Sequence, residues 1–171
     1  MKIIICEDNL AQRKFIYNII RNHILFHLPD SEIVLSASKG EEVLSYIDKS
    51  SVDCYFLDIE LAGNIDGLDI AMKIREKDPV ASIIFVTTFV EKLRLTFKYK
   101  IAALDFIEKN TNSETLVKNI LDALKSAHKN FEKITKNNEE NTLQIRIGES
   151  IRKINHDDIM YFETSNVPHK L

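Results

Sequence analysis

Acidic side chains follow two of the most apolar runs in the sequence. Glu7 and Asp8 come directly after "IIIC", and Asp58 comes directly after "CYFL". Carboxylate oxygens at such positions can bind a hard cation, and Mg²⁺ prefers oxygen ligands. A carboxylate can also attack phosphorus and form an acyl phosphate. Either chemistry requires a fold that brings the three acids together.

A hydroxyl and an ammonium group occupy similar positions further along the chain. Thr87 ends the run "SIIFVT", and Lys109 follows "DFIE". Phosphoryl oxygens on a carboxylate need a cation and hydrogen-bond donors around them. Simpler interpretations remain open for each residue: Glu7 and Asp8 as a helix cap, Asp58 as a turn residue, and Lys109 as a surface cation.

Five apolar runs alternate with five helical patterns, which predicts a doubly wound parallel sheet of the flavodoxin-like class. The expected strand order is 2-1-3-4-5 with right-handed crossovers. In that order the first and third strands are neighbours, so Asp58 should lie beside Glu7 and Asp8. Thr87 should end the next strand and Lys109 the last one. The sequence therefore predicts one site at the carboxyl ends of the strands.

Helical periodicity gives finer expectations at two places. In the first helix, Phe15 is expected to share one apolar face with Ile16, Ile19, Ile20 and Ile24. In the fifth helix, the spacing of Thr111 and Glu114 predicts a capping box. Both expectations rest on local pattern alone.

The composition changes after residue 131. Residues 1–131 hold the predicted α/β domain, and the polar residues 132–141 predict a linker. In 142–171, "LQIRI" and "IRKI" predict two strands joined by the three-residue turn "GES", and "DDIMYFE" adds a third apolar segment. About 30 residues of this kind cannot close a core alone, so they are expected to be only the start of a second domain.

Overall composition favours a protein of the cytoplasm. The net charge of -3 gives no general attraction to nucleic acid or anionic lipid. Cys6 and Cys54 both lie in apolar runs and are interpreted as buried free thiols, typical of a reducing compartment. No apolar run reaches the length of about 18 residues that a membrane helix needs, so no membrane association is expected.

Five motifs together resemble the receiver domain of two-component response regulators: "ICEDN", "YFLDIEL", "DG", "IIFVTT" and "ALDFIEK". The resemblance implies a signalling switch rather than an enzyme, with Mg²⁺ as cofactor and a sensor histidine kinase as partner. It also implies a possible homodimer on phosphorylation. The implied site residues are Glu7 and Asp8 as metal-binding acids, Asp58 as phosphoacceptor and metal ligand, the backbone carbonyl of Glu60 as a further ligand, Thr87 and Phe106 as switch residues, and Lys109 as the phosphate-binding lysine.

Three departures from the family pattern affect the surroundings of this site. Asn110 stands where most receivers have proline, and Thr88 replaces the usual alanine. The loop between Asp58 and Gly67 is one residue longer than is common, with the insertion at Gly63-Asn64.

The sequence further resembles the LytTR response regulators, of the accessory gene regulator A type that serves peptide quorum sensing. The segments that carry this resemblance are "CYFLDIEL", "DPVASIIFVTT" and the tail "DDIMYFETSNVPHKL". In that family a LytTR domain binds promoter DNA, and residues 142–171 resemble its opening strands. His169 matches a DNA-contacting histidine there. Residues 132–171 hold six Lys and Arg against seven Asp and Glu, so charge alone does not predict DNA binding.

Two other classes share parts of this pattern. A haloacid-dehalogenase-like phosphatase also uses a strand-end aspartate with Mg²⁺, but its Asp-x-Asp lies on the first strand. Here Asp58-Ile59-Glu60 lies on the third. A flavodoxin-like cofactor binder needs a phosphate-binding loop after the first strand, where "CEDNLAQ" is acidic.

Overall fold

Strands and helices alternate along the first part of the chain, and all five strands there are parallel. The computed structural model describes residues 1–140, 142–148 and 150–161. The sheet order β2-β1-β3-β4-β5 confirms the predicted flavodoxin-like topology. The strands are β1 (Lys2–Cys6), β2 (Glu32–Ala37), β3 (Cys54–Leu57), β4 (Ser82–Thr87) and β5 (Asp105–Glu108).

Helices cover both faces of this sheet. They are α1 (Leu10–His27), α2 (Gly40–Ile47), α3 (Gly67–Lys77), α4 (Leu93–Lys98) and α5 (Ser113–Glu140). A 3₁₀ turn at Val90–Lys92 leads into α4.

Successive residues of β1 belong to two separate cores. Ile3 and Ile5 pack in the cluster that α1 and α5 cover, whereas Ile4 and Cys6 pack in the cluster under α2 and α3. All residues of β3 and β4 are buried. Burial on both faces explains the continuous apolar runs, because neither face of a central parallel strand meets water.

Asparagine caps α1 and α5, the helices that follow β1 and β5. The Asn9 side chain accepts the N–H groups of Ala11 and Gln12, so the acids before it are free of capping. The predicted capping box at Thr111 is wrong. Asn112 caps α5 by accepting the N–H of Thr115 at 2.8 Å, because Asn112 is the residue that immediately precedes the helix.

The prediction that Phe15 faces the core is also wrong, since its side chain is 38% exposed. Ile16, Ile20 and Ile24 form the buried stripe of α1. Phe15 lies one residue earlier, which is about 100° around the helix. It therefore points away from the stripe.

Helix α5 continues to Glu140, through most of the segment predicted to be a linker. Lysine and glutamate are good helix formers, and extending an existing helix avoids the cost of nucleation. The segment is thus helical without an apolar stripe. Contacts divide the chain into Met1–Phe131 and a second unit that begins at Glu132. The role of 132–141 as a linker between domains stays a prediction.

The second unit contains an antiparallel hairpin of β6 (Thr142–Ile147) and β7 (Ser150–Asn155). Ser150 already pairs with Ile147, so it belongs to the strand and the predicted three-residue turn is too long. A 3₁₀ turn at His156–Asp158 follows. His169 lies outside the described residues. Over the part of the chain that is described, no helix is both long and apolar enough to cross a membrane.

Gly67 brings the start of α3 against the backbone that follows β3. Its N–H donates to the carbonyl of Ile59 at 2.8 Å. A Cβ atom at position 67 would lie 2.0 Å from the carbonyl oxygen of Asp58. No heavy atoms tolerate that separation, so the glycine is required for close packing at the carboxyl end of β3.

We expect Gly67→Ala to lower the free energy of unfolding by about 1–3 kcal/mol or more, because backbone must move to admit the methyl group. Urea denaturation measures the effect. Lys73→Ala is the matched control on the same helix, since it removes only an exposed ion pair with Glu76, worth about 0.5 kcal/mol or less. Equal losses in the two variants would contradict the packing argument.

Candidate functional site

Three carboxylates meet at the carboxyl ends of β1 and β3. The two strands are paired, and the N–H of Asp58 donates to the carbonyl of Cys6 at 2.9 Å. Glu7, Asp8 and Asp58 each offer an oxygen, and these atoms lie within 4.8 Å of one another. Glu7 and Asp58 are buried, whereas Asp8 is exposed. Strand pairing therefore fixes the separation of the acids.

The Lys109 ammonium group joins two of these acids. Its Nζ lies 2.5 Å from Oε2 of Glu7 and 2.6 Å from Oδ2 of Asp58. The Lys109 side chain is only 7% exposed. Its backbone N–H donates to the carbonyl of Thr87 at 2.9 Å, which continues the pairing of β4 with β5. One buried cation thus stands between two buried anions.

The remaining oxygens of the acids are not equally satisfied. Oε1 of Glu7 accepts the N–H of Asn9, and Oδ2 of Asp8 accepts the N–H of Ala62, both at 3.1 Å. Among the described residues, Oδ1 of Asp58 is buried without a hydrogen-bond partner. A buried carboxylate oxygen without a partner is costly, so its retention points to a ligand or a reaction. Hard oxygen donors of this kind fit Mg²⁺.

Burial raises the pKa of the Glu7 carboxyl, and the hydrogen bond and charge of Lys109 counteract part of that rise. Burial is also the main cause that raises the pKa of the Cys6 thiol to about 12. Cys54 is buried too, and both cysteines are free, as predicted. Neither thiol offers a thiolate for chemistry at neutral pH.

Arg13 supports the acid pair, and the sequence motifs did not indicate it. Its Nη1 donates to the carbonyl of Glu7 at 2.6 Å. Side chains on a helix lean towards its N-terminus. Arg13, one turn after the cap Asn9, can therefore reach back to the strand end. A long cation at that offset from the cap is a signal that could have identified it.

Lys92 is a second residue that the motifs did not indicate. Its Nζ lies 2.7 Å from Oε1 of Glu60 and 5.4 Å from the ring centroid of Phe89. This ion pair connects the loop after β3 with the turn after β4. The Glu60 carboxylate is therefore engaged away from the three acids, and the role of its backbone carbonyl stays a prediction.

Thr87 and Phe106 lie in the sheet near these acids. Thr87 is fully buried at the end of β4, and its Oγ1 accepts the N–H of Phe89 at 3.3 Å. Phe106 on β5 is half-buried, with its ring centroid 6.3 Å from that of Phe85. The peptide bond before Asn110 is trans. These contacts do not test the predicted switch roles of Thr87 and Phe106.

The fold and the site together have the arrangement expected for a receiver domain: a doubly wound sheet with three acids and a lysine at its strand ends. The family model for the response regulator receiver domain matches residues 3–121. The chain therefore belongs to the response regulator receiver family.

Relatives of this chain extend beyond that domain. Accessory gene regulator protein A of Staphylococcus aureus strain N315 is 41% identical over 172 residues, which covers all of this chain and 72% of the relative. The same regulator of Staphylococcus epidermidis is 40% identical with equal coverage. These matches confirm the predicted resemblance to the accessory gene regulator A type.

Solved structures show the same fold. The response regulatory domain of mrkE from Klebsiella pneumoniae has a TM-score of 0.62 and 26% identity, covering 75% of this chain and 99% of that domain. The response regulator TrrA from Thermotoga maritima, solved in complex with Mg²⁺ and BeF, has a TM-score of 0.56 and 26% identity. The match covers 71% of this chain and 97% of that structure.

We expect Lys109→Met to lower the free energy of unfolding by about 3–5 kcal/mol in metal-free buffer, because two buried carboxylates would face each other without a cation. Urea denaturation with a chelator present measures this change. Adding Glu7→Gln to the variant should recover part of the loss.

Lys92→Met is the matched control for this prediction. It breaks the half-exposed pair with Glu60 and should cost about 1 kcal/mol or less. If both lysine variants lost the same stability, the buried bridge would have no special role in the fold.

Proposed function

We propose that this protein is the response regulator of a two-component system, phosphorylated on Asp58 by a sensor histidine kinase. The observation that carries the proposal is the Asp58 carboxylate. One of its oxygens accepts from Lys109, and the other is buried without a partner among the described residues. A carboxylate held in this way presents one oriented oxygen for reaction.

The proposed reaction is a phosphoryl transfer to Oδ1 of Asp58. This oxygen attacks phosphorus, and the new O–P bond forms as the P–N bond of the kinase phosphohistidine breaks. The bonding electrons leave with the imidazole nitrogen, which then takes up a proton. Lys109 is already 2.6 Å from Oδ2 of Asp58. Its ammonium group can turn to the incoming phosphoryl oxygens and neutralise their charge.

Glu7, Asp8 and Asp58 are the residues proposed to hold Mg²⁺, with the backbone carbonyl of Glu60 as a further ligand. The spacing of the three carboxylates and their hard oxygens supports this choice. When bound, the ion would supply positive charge between the acids and the phosphoryl oxygens. Arg13 would keep the acid pair in place through the Glu7 carbonyl.

Thr87 and Phe106 are proposed to transmit the modified state. Among the described residues, the Thr87 hydroxyl accepts one hydrogen bond, from the N–H of Phe89 at 3.3 Å. A phosphoryl oxygen could replace this long hydrogen bond. Phe106 sits on the neighbouring strand, half-buried, where a small shift of β4 would change its packing. These features support the switch roles that the family resemblance implies.

The proposed output is transcriptional control in peptide quorum sensing, in the cytoplasm, through a LytTR domain whose first strands are β6 and β7. Similarity to accessory gene regulator protein A over the whole chain supports this proposal. His169 is proposed to contact promoter DNA, and phosphorylation is proposed to favour a homodimer.

We expect acetyl phosphate and Mg²⁺ to phosphorylate this chain on Asp58 alone, with Asp58→Asn abolishing the modification. The reason is that Asn lacks the anionic oxygen that attacks phosphorus. Peptide mapping by mass spectrometry identifies the modified residue. Undiminished phosphorylation of Asp58→Asn would overturn the assignment.

Asp8→Ala forms a second arm of the same experiment. It should weaken Mg²⁺ binding and slow phosphorylation together, since Asp8 is an exposed member of the triad. Asp69→Ala, which removes an exposed carboxylate from the first turn of α3, is the control and should leave both properties unchanged. An Asp8 variant with unaltered Mg²⁺ affinity would remove this residue from the proposed metal site.

We expect the 171-residue chain not to bind a promoter site of the family in a sequence-specific way. Sequence readout needs several side chains held at base edges, and residues 132–171 carry no net positive charge. A version extended with the remaining C-terminal part of the staphylococcal relative should bind the site. Titration of both proteins at equal salt, on the site and on a scrambled duplex, tests this. Equal specific affinity of the two proteins would contradict it.

A further inference from the structure

Two histidines lie together on the last two turns of α1, at the opposite end of the helix from the acid pair. His23 and His27 are four residues apart, a spacing that places side chains on one helical face. Their ring centroids are 4.6 Å apart, with the planes inclined by 36°. His23 is half-buried and His27 is exposed. The pair is therefore open to a solute on one side and held by the helix on the other.

Imidazole is the side chain that divalent transition metals most often use in proteins, with a Zn–N distance of about 2.0–2.1 Å. Two rings at this separation can turn their nitrogens towards one ion, and water can fill the remaining positions. The acid triad has only hard oxygen donors. Because the two donor sets differ, they select different metals: Mg²⁺ prefers carboxylates, whereas Zn²⁺ readily accepts nitrogen.

Charged groups on α1 and α5 surround the histidine pair. Burial, His27 and the Lys125 ammonium group on α5 all lower the pKa of His23. Lys125 is itself paired with Asp122 at 3.3 Å, which reduces its repulsion of a cation. His27 lies in the last turn of α1, where the carbonyl end of the helix dipole favours positive charge. Burial, His27 and Lys125 thus each favour the neutral form of His23, which is the form that binds metal.

We propose that His23 and His27 form a binding site for a divalent transition-metal ion of the zinc class, separate from the carboxylate site. From Asn9 to His23 the helix rises by about 21 Å, so one ion cannot serve both sites. A bound ion would connect the two final turns of α1 and stabilise that end of the helix by mass action. The proposal does not depend on phosphorylation of Asp58.

The test is a Zn²⁺ titration of the untagged 171-residue chain with saturating Mg²⁺ present to occupy the carboxylates. Calorimetry gives the affinity, and imidazole nitrogen shifts in NMR spectra identify the ligands. We expect one Zn²⁺ ion per chain at this pair. His23→Gln and His27→Gln should each weaken its binding by about tenfold or more, the scale at which single residues affect metal sites.

His128→Gln and His156→Gln are the matched controls, because each removes a histidine from another element. Both should bind Zn²⁺ within about twofold of the parent, a difference of less than 0.5 kcal/mol on the scale of about 1.4 kcal/mol per tenfold. Since His27 is exposed, its variant should fold normally, and thermal unfolding should show a Zn²⁺-dependent rise for the parent that His27→Gln lacks. Parent-like Zn²⁺ affinity in His27→Gln, or an equal loss in the controls, would overturn the proposal.

Discussion

The contact between Lys109 and the two buried acids is the interaction on which the site depends. Glu7 and Asp58 lie at the ends of paired strands in the middle of the sheet, where water is nearly excluded. Two carboxylates in such a place repel each other and lose hydration, and each effect raises the free energy of the ionised pair. The ammonium group between them makes the ionised pair tolerable. Without a cation there, the strand ends could not carry the acids that the proposed chemistry needs.

Everything that positions Lys109 therefore also positions the site. It follows β5, the last strand of the sheet, and reaches across β4 to the acids on β1 and β3. Four strands of one sheet must pair in order before the bridge can form. The acids are thus held together only in the folded domain, and their relative positions are set by backbone hydrogen bonds rather than by flexible loops.

Much of this arrangement could be predicted from the sequence, because strong patterns carry it. Strands buried on both faces appear as continuous apolar runs, and the parallel order brings their polar ends to one edge. This pattern predicts the positions of Asp58 and Lys109. Patterns were weaker where a single residue decides the outcome. Asn112 rather than Thr111 caps α5, since a shift of one position changes which side chain reaches the free N–H groups.

Other features could not be predicted because they depend on the third dimension. Arg13 donates to the Glu7 carbonyl, and its place one turn after Asn9 indicates that it can reach back but not which group it contacts. Lys92 pairs with Glu60 across 32 positions of sequence. The helical course of 132–140 follows from the preceding helix and not from any apolar stripe of its own. Each of these features is one of several that the local sequence allows, and the surrounding structure determines which one forms.

The alternation of β1 between two cores limits how this domain can change its length during evolution. An insertion inside β1 or β3 would move every later residue to the opposite face and shift Glu7 relative to Asp58 by about 3.3 Å. The loop after β3 is free of that constraint, because a residue added between Asp58 and Gly67 does not change the pairing of the strands. The contact of Gly67 with the Asp58 carbonyl holds the far end of the loop in place. The insertion at Gly63-Asn64 lies there, and Gly63 has a φ of +131°. A residue added in this loop therefore changes the rim of the site while the acids stay in register.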